Sequence, residues 1–280
     1  MLKRRCVLRR GTLRLALATL PWLLGAGSGG PAAQAQARAR ALSPAQSASM
    51  AAPAQRSGFD FMTPALKAMQ RSDAQNPAML WVASGADLWK AAPTNGKPAC
   101  AGCHASGLAG TANRYPAFSD ALQRPVTLLQ QINRCRTTHQ EQAAWPNESE
   151  PLLALAAYIG QQSRGLPIDP PEDERLTPWR QAGEALYRAR IGQLNLSCAQ
   201  CHEDRAGQRL AGAVIPSGLA TGYPLYRLEW QGLGSLPRRL LNCTTGVRAA
   251  PLNEEELTQV ELYLMQRANG LPLETPAVRP

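Results

Sequence analysis

Six of the seven cysteines, two histidines and a cluster of arginines carry the reactive groups of this 280-residue sequence. Cys100, Cys103 and His104 spell C-x-x-C-H, and Cys198, Cys201 and His202 spell it again. Two thiols three residues apart lie on one turn of helix, where each can form a thioether with a vinyl group of haem. The histidine that follows then sits beneath the iron as its proximal ligand. Thioredoxin-like redox chemistry uses C-x-x-C too, but in a βαβ setting that the sequence lacks. A structural zinc site needs a second ligand pair, which three histidines cannot supply. The two motifs therefore predict two covalently bound haem c groups.

The far side of each iron is constrained by what is missing. No methionine lies between Met79 and Met265, and His139 is the one histidine outside the motifs. By elimination, Cys135 and Cys243 are favoured as distal ligands. A ferric iron would hold such a thiol deprotonated. Three alternatives stay open: a Cys135–Cys243 disulfide, normal in an oxidising compartment; ligation by His139, set against a solvated or propionate-bonded histidine; and ligation by Met265, set against a core methionine.

These residues fall at matching places in an internal repeat. Residues 85–104 lie over residues 183–202, with Leu88-Trp89-Lys90 on Leu186-Tyr187-Arg188. Tyr115-Pro116 matches Tyr223-Pro224, and each tyrosine precedes its lone cysteine by 20 residues. The offset is 98 at the motif and 108 at the cysteine, so the second copy carries ten extra residues after His202. Residues 147–167 parallel residues 253–272. Around the lone cysteine the copies diverge: Arg238, Arg239, Arg248 and Arg227 of the second stand where the first has Gln130, Gln131, Gln140 and Ser119. Guanidinium groups bind oxyanions through paired, charge-assisted hydrogen bonds. The second copy therefore reads as the catalytic one and the first as electron-conducting or structural.

The elements that must position these groups read as helices. Residues 64–71 and 77–90 each carry a proline near the start, where helices tolerate it. Asn253 caps a helix whose first turn holds Glu254, Glu255 and Glu256, and Leu257, Val260 and Leu264 mark its buried face. Gly165 with Pro167, and Gly270 with Pro272, stop the two equivalent helices. No stretch shows strand alternation. The expected fold is mainly α, with two tandem cytochrome c-like domains at 58–168 and 169–280. Asp169–Glu174 is the expected linker between them.

Composition narrows the partners. The formal charge is +10, yet six of the 30 basic residues and no acidic one lie in residues 1–37, so the rest carries +4. Four haem propionates would bring that close to neutral, which removes the main support for nucleic-acid binding. Lys3 to Arg14 form a basic segment, and Leu15–Gly27 is an apolar run of 13 residues, too short to span a bilayer. With Ala35-Gln36-Ala37 as a cleavage site, residues 1–37 read as a signal peptide. The mature chain is expected in the periplasm, with no membrane segment, and Cys6 leaves with the leader. An Arg9-Arg10 twin-arginine signal is the weaker reading, because haem is attached after export of an unfolded chain. Residues 38–57 read as a flexible linker.

The blocks NPAMLWV (76–82), CAQCHEDRAG (198–207), TGYPLYRLEWQ (221–231) and LLNCTTGVRA (240–249), with the final helix, resemble the SoxA family, haem subunits of L-cysteine S-thiosulfotransferases. That resemblance covers most of the mature chain. It implies oxidative joining of thiosulfate to a cysteine of the carrier SoxYZ, with electrons leaving through haem to a partner cytochrome, SoxX, in a heterodimer. It implies that Cys243 ligates the catalytic haem and can carry an extra sulfur as a persulfide. Some members lack the first haem; Cys100, Cys103, His104 and Cys135 make this a dihaem form. On that basis Arg239, assisted by Arg248 and Arg238, is expected to hold thiosulfate against Cys243. The rival readings are a dihaem electron carrier without sulfur chemistry and a dihaem peroxidase.

Overall fold

The structure, a computed structural model, describes residues 55–280. The expected leader, its cleavage site, Cys6 and residues 38–54 lie outside the described residues. Two halves repeat one plan. In the first, α2 (Met79–Lys90) leads to the motif helix α3 (Cys100–Cys103). A hairpin of β1 (Ala117–Ser119) and β2 (Arg124–Val126) follows, then α4 (Leu128–His139) and α5 (Glu150–Gln162). In the second, α6 (Thr177–Arg188), α7 (Cys198–His202), the hairpin of β5 (Leu225–Arg227) and β6 (Gly232–Gly234), α8 (Leu236–Gly246) and α9 (Glu254–Arg267) come in the same order.

Each half is built on a crossing of its first and last helices, α2 on α5 and α6 on α9. Glycine sits at both crossings, and the reason is steric. A Cβ on Gly85 would overlap the Ala154 carbonyl, and one on Gly183 would overlap the Gln259 carbonyl and lie 3.1 Å from the Tyr263 Cβ. The backbones touch with no side chain between them. An aromatic pair closes each crossing: Trp89 with Tyr158, ring centroids 5.9 Å apart, and Tyr187 with Tyr263, 5.3 Å apart. One apolar core runs through both halves and contains Trp89, Leu152 and Leu155 alongside Tyr187, Val260 and Leu264.

The strands are two or three residues long, too short for alternation to show in the sequence. They nonetheless set the start of the cysteine-bearing helices. Thr127 caps α4 in a reciprocal arrangement with Gln130, and Ser235 accepts from the Arg238 amide to cap α8. The halves join where their last helices end: the amides of Gly165 and Ile168 donate to the carbonyls of Leu273 and Leu271, each at 2.8 Å.

The N-terminal segment, grouped by sequence with the first half, packs on the second. A C-terminal strand, β7 (Ala277–Arg279), adds to β5 in parallel, and α1 (Pro64–Arg71) lies against it. Gln70 accepts from the Val278 amide, Asn76 donates to the Pro276 carbonyl at 2.9 Å, and Ser57 donates to Glu274. Ser57, at the end of the segment read as flexible, is buried.

Glu261 on α9 stands where α5 has the fully buried Ala156. Glu261 is half-buried, its carboxyl has no hydrogen-bond or ion-pair partner among the described residues, and desolvation pushes its pKa up to about 8. A carboxyl with a raised folded-state pKa favours the fold at low pH. Its contribution is whole below the ordinary carboxylate range and is lost as pH rises towards about 8. Glu261→Ala should therefore raise the unfolding temperature at pH 9 and leave it nearly unchanged at pH 5, as followed by circular dichroism. Gly183→Ala, which forces α6 from α9, should cost about 1–3 kcal/mol of stability in denaturant unfolding.

Candidate functional site

The second motif is held more firmly than the first. Ser197 caps α7 with Gln200 reciprocating, while the first residue before α3, Ala99, offers no side-chain cap. The His202 Nδ1 lies 2.8 Å from the Pro216 carbonyl. A carbonyl can only accept, so Nδ1 carries the proton and Nε2 is left for a metal. Burial lowers the pKa of His202; the Pro216 carbonyl opposes this, while the charges of Arg239 and Arg267 add to it. A neutral imidazole results, as an axial ligand requires.

Pro216 belongs to the extra residues of the second copy. They form a hairpin, β3 (Arg209–Leu210) and β4 (Ala213–Val214), that returns the chain to His202. Gly218, at φ +68°, completes the return: a Cβ there would lie 2.9 Å from the His202 Cβ and 3.3 Å from Nδ1. In the first half His104 instead stacks on Trp89, 5.8 Å between centroids.

All six cysteines of the described residues are unpaired, so the Cys135–Cys243 disulfide weighed from sequence does not form. Each lone cysteine instead faces its own motif. Burial pushes the Cys198 thiol up to about 11, with a further push from Cys243. Cys100 is raised in the same way by burial, with Cys135 adding. Paired motif thiols on a short helix, a histidine directly after them and a cysteine opposite fit a covalently held haem in each half. His139 is exposed at the end of α4, and Met265 is buried in the core of the second half.

Below His202 the second half carries a charged network. Glu203 is clamped by Arg188 at 3.0 Å and Arg267 at 3.2 Å; Arg188 also pairs with Glu184 at 2.9 Å. Arg267 donates to the Tyr187 hydroxyl at 2.7 Å. The corresponding first-half residues are Ala105, Lys90, Gln162, Ala86 and Trp89. The network binds α7 to α6 and α9, so the motif helix is fixed from beneath.

Around Cys243 the structure gathers Tyr223, Arg227 and Arg239. Burial pushes the Tyr223 phenol up to about 12; Arg239 opposes the rise and Cys243 adds to it. Burial lowers the Arg227 pKa, and Arg239 lowers it further by repulsion. Arg227 is anchored by Glu229 at 2.7 Å and by the Pro280 carbonyl at 2.9 Å. Arg239 has no ion pair among the described residues, so its guanidinium is available to a ligand. Arg238 turns away, its guanidinium 4.1 Å from the centre of the Trp230 ring. Arg248 is exposed in a left-handed turn at φ +56° after α8. Of the four arginines singled out by sequence, two therefore meet at the cysteine.

The sequence comparison missed one exchange. Arg134 donates to the Ser119 hydroxyl at 2.9 Å, between α4 and β1. Its second-half counterparts are Asn242 and Arg227: the guanidinium moves from helix to strand. Each half thus keeps one guanidinium at this spot, and Gln131 against Arg239 is the net difference. Comparing spatially paired positions, rather than single ones, would have found it.

Known proteins align with this arrangement. The chain matches the SoxA/TsdA cytochrome c domain family at residues 84–168 and 182–273. It is 34% identical over 229 residues to the L-cysteine S-thiosulfotransferase subunit SoxA of Pseudaminobacter salicylatoxidans, covering 80% of each chain. The subunit of the same name from Paracoccus pantotrophus is 31% identical over 227 residues, covering 80% of this chain and 78% of that one. A crystal structure of SoxXA from P. pantotrophus superposes with a TM-score of 0.77 at 31% identity, over 81% of this chain and 87% of that one.

Gly218→Ala should push the 216–218 loop off His202 and strip the ring of its orienting carbonyl. Less haem should be retained at the second motif than at the first, as read by mass spectrometry of peptides containing Cys198–Cys201 and Cys100–Cys103.

Proposed function

The chain belongs to the SoxA/TsdA cytochrome c family, and we propose that it joins thiosulfate oxidatively to a cysteine of a carrier protein of the SoxYZ kind. The observation that carries this reading is the unpaired Arg239 beside Tyr223, Arg227 and Cys243. The reaction forms one sulfur–sulfur bond between the terminal sulfur of thiosulfate and the carrier thiol, and releases two electrons and the thiol proton. Haem c, when bound, supplies the electron acceptor for that oxidation.

Cys100 and Cys103 would hold one haem covalently, with His104 and Cys135 serving its iron. Cys198 and Cys201 would hold the second, with His202 and Cys243 serving its iron. The chain's own contribution to chemistry lies in placement. Arg239 binds the sulfonate oxygens, with charge-assisted hydrogen bonds that single out a dianion. Arg227, pinned by Glu229, adds positive field without turning towards solvent. The Tyr223 phenol, kept protonated at neutral pH, can donate to a ligand oxygen. So held, the anion presents its terminal sulfur to the Cys243 sulfur, thiolate or persulfide, and loss of two electrons joins the two sulfurs. Attack of the carrier thiolate on the thiosulfate-derived sulfur then moves the S–SO3 group to the carrier and releases the Cys243 sulfur. Arg248 and Arg238 lie outside this group and have lesser parts in binding. The Arg188–Glu203–Arg267 clamp keeps His202 in place whatever happens at Cys243.

Electrons pass to a partner cytochrome of the SoxX kind, making a heterodimer. The leader-like N-terminus supports work in the periplasm, and no helix of the described residues is long and apolar enough to cross a membrane.

Arg239→Ala should lower thiosulfate turnover with carrier about 100-fold, the effect of removing a charged donor from a developing anion, while leaving the haem absorption spectrum unchanged. Undiminished turnover by that variant would overturn the assignment of Arg239 as the residue that binds thiosulfate.

A further inference from the structure

The first half contains an open cleft of about 370 Å³ lined by Tyr115, Phe118, Ser119, Asp120, Gln131 and Arg134, among others. Its position is informative. In repeat terms Tyr115, Ser119, Gln131 and Arg134 are Tyr223, Arg227, Arg239 and Asn242. The cleft is the internal counterpart of the Arg239 cluster. None of Cys100, Cys103 and His104 lines it. Cys135 is just behind its wall, where the Gln131 amide donates to Sγ at 3.4 Å.

The groups facing the cleft include unused donors. A guanidinium has five N–H bonds; at this wall Arg134 gives one to Ser119, and it has no acidic partner among the described residues. Tyr115 has no hydrogen-bonded partner for its phenol among them. Burial raises the Tyr115 pKa; Cys135 adds to the rise and Arg134 counters it. That is the same trio of phenol, thiol and guanidinium as in the second half. The one carboxylate on the wall, Asp120, is held at 2.6 Å by Arg175, which also stacks 4.1 Å from the centre of the Phe118 ring. Its charge is therefore offset.

We propose that the cleft beside Cys135 is a second binding site, for a small tetrahedral oxyanion such as sulfate or thiosulfate, with Arg134 as its principal donor. One guanidinium in place of two, and an amide at Gln131, make it the weaker of the two sites. It has no part in turnover: its thiol stays behind the Gln131 wall. The proposal rests on the reading of the Arg239 cluster only for the choice of anion; the cleft and its unused donors stand on their own geometry.

Calorimetric titration of the dihaem protein with sodium sulfate, at constant ionic strength set by chloride, tests it. With Arg239→Ala closing the site beside Cys243, one sulfate should still bind. Adding Arg134→Gln should weaken that binding at least about tenfold, roughly one charge-assisted contact. Gln131→Arg, which restores the second-half arrangement, should tighten it by about the same factor. Arg134→Gln alone should turn over thiosulfate at the wild-type rate. No sulfate binding to the Arg239→Ala protein, binding indifferent to Arg134, or no gain from Gln131→Arg would each overturn the proposal. Failure of the thiosulfate assignment would appear separately, as turnover that survives Arg239→Ala.

Discussion

The contact that everything else depends on is backbone against backbone. At Gly85 and again at Gly183, one helix lies so close to another that a single methyl group would collide with a carbonyl. The motif helix, the hairpin and the cysteine-bearing helix of each half lie between those two helices in the chain. The aromatic pairs Trp89–Tyr158 and Tyr187–Tyr263 cement the crossing and lend apolar bulk to a chain otherwise poor in aromatics. Because the crossing is made twice, the chain has two equivalent frames on which chemistry can diverge.

Divergence is concentrated around the second frame. It has gained ten residues that bring the Pro216 carbonyl to His202, a charged clamp beneath the motif helix, and Arg239 beside Cys243. The three changes act on different sides of one centre. The first sets the tautomer of His202, the second ties its helix to α6 and α9, and the third places a guanidinium with no ion pair among the described residues beside Cys243. The first frame keeps neutral or apolar residues at nearly all of these places. On the proposed reading, a conducting or structural centre needs less, and a centre that must bind an anion while holding its histidine fixed needs more. The C-terminal strand and the segment before α2 reinforce the same half, since β7 pairs with the strand that carries Arg227.

Much of this was legible in the residues. The C-x-x-C-H motifs, the duplicated spacing and the helix caps each state a local rule, and local rules survive without coordinates. The helices at 64–71 and 77–90, the cap at Asn253 and the buried Val260 and Leu264 all appear where the pattern places them, with α2 starting at Met79 and Leu257 half-buried. What was not legible depends on distance across the chain. Strands of three residues carry no alternation. The docking of Ser57–Arg71 on the last residues is a contact more than 200 positions apart. Arg238 and Arg239 are neighbours in sequence, yet one helix step sends one to Trp230 and the other to Cys243. The Arg134 exchange hid because its two halves lie on different elements.

The central claim is that Cys243 meets the second iron as a thiolate while Cys135 does so at the first. Electron paramagnetic resonance of the oxidised dihaem protein addresses it most directly, with Cys243→Ser and Cys135→Ser assigning the signals. Two low-spin centres with thiolate-type anisotropy, each altered by its own substitution and not by the other, are what the account predicts. Histidine–methionine or bis-histidine signals at both irons, untouched by either substitution, would contradict it.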